Sequence, residues 1–153
     1  MAVILEFHNY TDVDISKMIG IYQESINDQN TDQWTAEADF CQDLMLFFKC
    51  DGARLMVCCL DGAYVAAVRL EPYCGGLLIS CLETKPSKRR RGYAENLMRF
   101  VFEKHPGVFY AHVAKRNQAS IQLHKKLGFQ VYLDHATFVD GSVYANCYTL
   151  KRS

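Results

Sequence analysis

Apolar and polar positions along the chain fall into two rhythms, one of period two and one near 3.6. Ala2 to Phe7 reads as a first strand. Ile15, Met18, Ile19, Tyr22 and Ile26 then recur at helical spacing, after Thr11 and Asp14, which predict a capping box. Asn27 to Gln33 is wholly polar and predicts a loop. Trp34-Thr35 opens a second helix, with Thr35 as its cap and Phe40, Cys41, Leu44, Met45, Phe47 and Phe48 facing inward. Arg54 to Leu60 and Ala63 to Leu70 are strands joined by Asp61-Gly62, a hairpin signal because both turn positions need positive φ. Pro72 to Gly76 predicts a loop before a strand that ends at Thr84. Ala94, Leu97, Met98, Val101 and Phe102 form a core-facing helical stripe that stops near His105-Pro106-Gly107. Val108 to Val113 is unusually apolar, as an interior strand with a parallel neighbour would be. Asn117 to Leu127 is a helix with Gly128 just past its end. Gln130 to Phe138 and Ser142 to Leu150 make a closing hairpin about Asp140-Gly141.

The order β-α-α-β-β-β-α-β-α-β-β predicts an α+β domain over residues 1–153. Its sheet has about seven strands, mostly antiparallel, with a central parallel pair and about four helices. Ligands in such sheets sit at the C-terminal ends of parallel strands.

Composition narrows the function. Seventeen basic and seventeen acidic residues give no net charge, which argues against a general nucleic-acid binder. Seven cysteines without a CxxC pair predict reduced, mostly buried thiols in a cytoplasmic protein, and Cys58 and Cys59 should point to opposite faces of their strand. The five histidines show no metal-ligand grouping. Neither a signal segment nor a membrane span is expected.

The local exception to that neutrality is Lys88-Arg89-Arg90-Arg91-Gly92-Tyr93-Ala94, between the Thr84 strand and the next helix. A helix start carries unpaired N–H groups and partial positive charge, so it can hold an anion. Gly92 and small Ala94 let an anion reach that backbone. The pattern is neither GxxxxGK(S/T) nor GxGxxG. A second constellation follows: Asn117, Ser120 and His124 share one helix face at i, i+3, i+7.

Arg89 to Ala94 resembles the Q/R-x-x-G-x-G/A acyl-CoA signature of the GNAT superfamily of N-acetyltransferases. Asn117 to Phe129 resembles that family's N-x-x-S-I/A-x-L-Y/H-x-K-x-G-F motif. The resemblance implies a GNAT-type fold and acetyl-CoA as co-substrate, with no metal. It places pantetheine against the backbone near Leu82 and Thr84, and pyrophosphate at Arg89, Arg90, Arg91, Gly92, Tyr93 and Ala94. Asn117 and Ser120 would border the cofactor, and Lys88, Arg90 or Arg91 would meet the 3′-phosphate or only solvent.

The implied reaction moves the acetyl group to an amine by direct transfer in a ternary complex. An ammonium with a pKa near ~10.4 must first lose a proton. Relatives often carry a carboxylate midway along the fourth strand, where this chain has Leu78, Ile79 and Ser80. Glu83 is the nearest acid and Glu71 the next, although Glu83 has an equal claim to pair with the arginines. His124 stands where many relatives have a tyrosine serving the leaving thiolate, with Tyr93 and Tyr132 as substitutes. Cys81 is expected in the core, which disfavours an acyl-enzyme. A non-catalytic acyl-CoA sensor using the same cleft is the alternative. The acceptor amine, small molecule or peptide, and a homodimer stay open.

Overall fold

The computed structural model describes residues 2–153. Seven strands form one sheet in the order β1-β2-β3-β4-β5-β9-β6. They are β1 (Ala2–Phe7), β2 (Arg54–Leu60), β3 (Ala63–Tyr73), β4 (Gly76–Thr84), β5 (Phe109–Ala114), β6 (Gln130–Leu133) and β9 (Cys147–Arg152). β4 and β5 run parallel and every other neighbouring pair is antiparallel. Helices α1 (Ile15–Ile21), α2 (Gln23–Asn27) and α3 (Gln33–Phe48) cover one face; α4 (Tyr93–Lys104) and α5 (Gln118–Lys126) cover the other.

Because both faces are covered, β2 is apolar from Leu55 to Leu60. Leu55 and Val57 pack toward α1–α3, while Met56 and Cys58 pack toward α4. Cys58 and Cys59 do point to opposite faces, as period two requires. The α4 stripe forms as the sequence predicts, with Leu97, Met98 and Val101 fully buried. Asp61 and Gly62 take φ of 50° and 83°, the turn their hairpin needs.

Several local expectations need correcting. Asp14, not Thr11, caps the first helix, accepting from the Lys17 amide at 3.2 Å. That helix also breaks at Tyr22 into α1 and α2, and the Tyr22 hydroxyl donates to the Cys81 carbonyl at 2.6 Å. The polar stretch from Asn27 to Gln33 is shorter as a loop than predicted, since Asn27 ends α2 and Gln33 begins α3. Asp32 is the α3 cap, bonding the Thr35 amide and hydroxyl, and Met45 is exposed rather than inward. β3 runs on through Pro72 to Tyr73, leaving only Cys74-Gly75 as the turn. The last hairpin is broken: β6 pairs with β9, and a separate two-stranded ribbon, β7 (Ala136–Thr137) and β8 (Val143–Tyr144), flanks Asp140-Gly141. The cysteines are free, yet only Cys58 is buried; Cys50, Cys74 and Cys81 are exposed.

Two irregularities in β4 position the site. It pairs with β5 over only Leu77–Ile79 against Phe109–Ala111, after which the strands part. The close start is permitted by Gly76, where a Cβ would overlap the Val108 carbonyl. Further along, the β3 register shifts between Ala67 and Arg69, and Cys81 enters the left-handed region at φ 53°. The bulge turns Cys81 out of the core position expected for it.

Candidate active site

Where β4 leaves β5, a cleft of about 520 Å³ opens, lined by residues 79–84 of β4, 111–114 of β5, and Asn117, Ser120 and His124 on the α5 side. Leu82, Glu83, Thr84, Arg89 and Ala94 line it too. A hollow of about 320 Å³ continues along the loop, lined by Lys88, Arg90, Gly92, Tyr93 and Lys126 among others. Arg91 is exposed and lines neither.

The hollow ends at a helix start made of backbone. Gly92 caps α4 at φ 81°, without any side-chain cap bond. The first helical bond runs from the Asn96 amide to the Gly92 carbonyl at 2.9 Å, so the amides of Tyr93, Ala94 and Glu95 have no intrahelical partner. Nothing lies within 4 Å of where a Gly92 side chain would begin. Arg90 is also left-handed, at φ 64°, the kind of alternation that turns successive N–H groups to one side. Free amides, open space and neighbouring Lys88 and Arg90 fit a pyrophosphate.

Arg89 is differently employed. Its Nη1 bonds both carboxylate oxygens of Glu24 at 3.0 Å, its Nη2 donates to Glu83 at 3.2 Å, and its Nε donates to the Thr84 carbonyl at 3.3 Å. It thus ties the loop before α4 to α2 across the end of β4. Glu83 is half-buried, and burial raises its pKa, with Arg89 opposing. Glu71 is raised by burial as well, but it pairs with Leu78 before the strands part and lines no part of the cleft.

His124 is buried against the Phe129 ring. Its Nδ1 lies 2.7 Å from the Ser120 carbonyl, which can only accept, so Nδ1 carries the proton. Nε2 therefore holds a lone pair in the neutral ring. Burial lowers the His124 pKa and the Ser120 bond only partly offsets this, which keeps the ring neutral near pH 7. Asn117 caps α5, its side chain accepting from the Ser120 amide at 3.1 Å. Tyr93 borders the hollow, whereas Tyr132 is exposed on β6, edge-on to Tyr110.

A second cavity, of about 410 Å³, lies on the other side of β4, between α2, α3 and β3. Tyr22, Ile26, Ala36 and Phe40 form apolar walls, with Asp39, Asp43, Arg69 and Gln29 among them. Cys81, Leu82 and Glu83 line both this cavity and the cleft. The sequence reading missed Asp39, Asp43 and Arg69. One signal was present: Asp39 and Asp43 stand at i, i+4, a like-charged pair that disfavours an isolated helix.

The chain belongs to the acetyltransferase (GNAT) family, whose model matches residues 19–129. Its fold is that of a GNAT-family acetyltransferase from Bacillus cereus ATCC 10987, with a TM-score of 0.71 and 14% identity over 100% of this chain and 97% of that one. Ard1 from Thermoplasma volcanium is similar at a TM-score of 0.65 and 23% identity, covering 99% and 96%. The PaiA N-acetyltransferase of Thermoplasma acidophilum, solved in complex with coenzyme A, gives 0.65 and 10%, covering 99% of each chain. No curated protein matches the sequence. Among the described residues no helix is long and apolar enough to cross a membrane, and no group of His, Cys, Asp and Glu is placed to hold a metal.

Proposed function

We propose that this protein moves the acetyl group of acetyl-CoA to an amine by direct transfer in a ternary complex. The observation that carries the reading is the pair of cavities meeting at Cys81, Leu82 and Glu83, one ending at free helix amides and the other walled by carboxylates and rings.

In this reading the β4 backbone near Leu82 and Thr84, beyond the last rung of the β5 pairing, holds pantetheine. The loop from Arg89 to Ala94 holds pyrophosphate through its amides, with Arg90 and Lys88 adding charge. Asn117 and Ser120 border the cofactor. Glu83, at the junction, accepts the proton of the incoming ammonium, directly or through water; its burial-raised pKa brings it nearer the working pH. His124 acts from the opposite wall. Its Nε2 takes the second proton from the attacking nitrogen and returns it to the departing sulfur, so the ring starts and ends neutral. The N–H that fixes its orientation stays on the Ser120 carbonyl throughout.

The test is acetyl-CoA consumption over a panel of amine classes, with thiol release as readout and initial rates at varied concentrations of both substrates. Intersecting double-reciprocal lines are expected. Parallel lines with acetyl trapped on Cys81 would replace direct transfer with a two-step route. Tight acetyl-CoA binding without thiol release across the panel would favour the sensor.

A further inference from the structure

The acidic cavity carries information about the acceptor. Among the described residues, its only lining cation is Arg69, which is 6% exposed. Arg69 Nη1 donates to Asp43 at 2.7 Å and the guanidinium lies over the Phe47 ring at 5.3 Å. The Arg69 Nε–H is enclosed without a partner. Arg69 is thus held against Asp43, which already balances its charge.

The remaining charge is negative. Around the junction stand four carboxylates, Glu24, Asp39, Asp43 and Glu83, against two guanidinium groups, Arg69 and Arg89. Two negative charges are left over. Glu83 shares Arg89 with Glu24, and among the described residues Asp39 makes no hydrogen bond or ion pair. Between Asp39 and Glu83 the walls are hydrocarbon and ring, with Tyr22 and Phe40 centroids 5.2 Å apart.

We infer that this cavity takes a small diamine, whose reacting nitrogen lies at Glu83 and whose second ammonium group is held by Asp39. This rests on the acetyl-transfer reading above. A carboxylate at the far end, as in an amino acid, would meet Asp39 with like charge and find the Arg69 charge already balanced by Asp43. A plain alkylamine would satisfy Glu83 and leave Asp39 unmatched. A dication with an apolar middle satisfies both ends and lies on the rings between.

The experiment compares three matched series as acceptors: α,ω-diaminoalkanes, the n-alkylamines lacking the second nitrogen, and the ω-amino acids carrying a carboxylate there. The best diamine should exceed its alkylamine in kcat/KM by about fivefold, the scale of one partly exposed ion pair, and the advantage should shrink with salt. The ω-amino acid should fall below the alkylamine. Asp39→Asn should bring the diamine-to-alkylamine ratio toward one, mainly through KM, and Asp39→Lys should invert the order in favour of the ω-amino acid. Equal kcat/KM across the three series, or a ratio unmoved by Asp39→Asn in a folded variant, would overturn the inference while thiol release keeps the acetyl-transfer reading. Calorimetry of the diamine on the protein without acetyl-CoA separates the two claims. Diamine binding weakened by Asp39→Asn, with no thiol release from any amine, would sustain the pocket and sink the transfer reading. Neither binding nor release would sink both.

Discussion

The cofactor cleft and the acidic cavity share three residues of β4, yet they are built in opposite ways. On the cleft side the groups proposed to meet the cofactor are mainly backbone: the β4 edge beyond its β5 pairing, and the amides that open α4. On the cavity side they are side chains brought together from α2, α3, β3 and β4. A backbone site demands glycine and small residues at fixed spacing along one stretch of chain. A side-chain site demands only that distant residues meet, and it can change charge by single substitutions. One half of the molecule is therefore suited to an invariant ligand and the other to a changeable one.

The largest effect should come from putting a side chain into the backbone site. Gly92→Glu places bulk and negative charge at the free amides and should weaken acetyl-CoA by at least about 100-fold, roughly 2.7 kcal/mol, in a calorimetric titration. Gly92→Ala separates charge from conformation. Its Cβ meets nothing within 4 Å, so its cost is the left-handed backbone alone, about 1–2 kcal/mol of stability. If the two variants bind acetyl-CoA as tightly as the parent, the pyrophosphate assignment is lost.

Next in size is His124, a side chain inside the backbone-built half. His124→Asn can keep a donor on the Ser120 carbonyl while removing the Nε2 lone pair. It should lower kcat by about 100-fold with acetyl-CoA affinity and Tm little changed. Undiminished kcat would pass the proton to water or to Glu83.

Arg89 is where the two halves touch, and a smaller, pH-dependent effect is expected there. Arg89 opposes the burial that raises the Glu83 pKa. In Arg89→Gln that opposition goes, the Glu83 pKa rises further, and the acid limb of kcat/KM should move to higher pH. An unmoved limb would mean that Glu83 is not the group that titrates.

The smallest effect is on stability. His112 lies between Tyr73 and Phe138, with Nε2 enclosed and unpaired. Burial lowers its pKa from the ordinary value of 6.5. The unfolded chain therefore takes up the proton first as pH falls, and stability present above pH 6.5 is lost below it. His112→Phe keeps the ring contacts and removes the unpaired atom. It should raise stability by about 1 kcal/mol and flatten the fall in Tm between about pH 7 and pH 5. A fall as steep as the parent's would assign the acid sensitivity elsewhere.

The same contrast explains what could be read from the sequence. Gly92, Ala94, Asn117 and Ser120 are placed by local geometry, so their spacing can be read without the fold. The α4 stripe and the Asp61-Gly62 turn were legible for the same reason. The break at Tyr22 was not; the hydroxyl there bonds the Cys81 carbonyl 59 residues away, a contact that local spacing does not show. The outward turn of Cys81 depends on a bulge against β3, which alternation within β4 does not encode. Arg89 looked like one more phosphate ligand until α2 brought Glu24 beside it. Asp39 and Asp43 showed as a like-charged pair on a helix, but the cavity they line exists only once α3 packs over β3.

Hydrogen exchange with and without acetyl-CoA tests the central claim, that backbone holds the cofactor. Bound acetyl-CoA should slow exchange at the amides of residues 80–84 and 92–95 before it affects any other segment. Tight binding that leaves those amides exchanging as fast as in the free protein would contradict it.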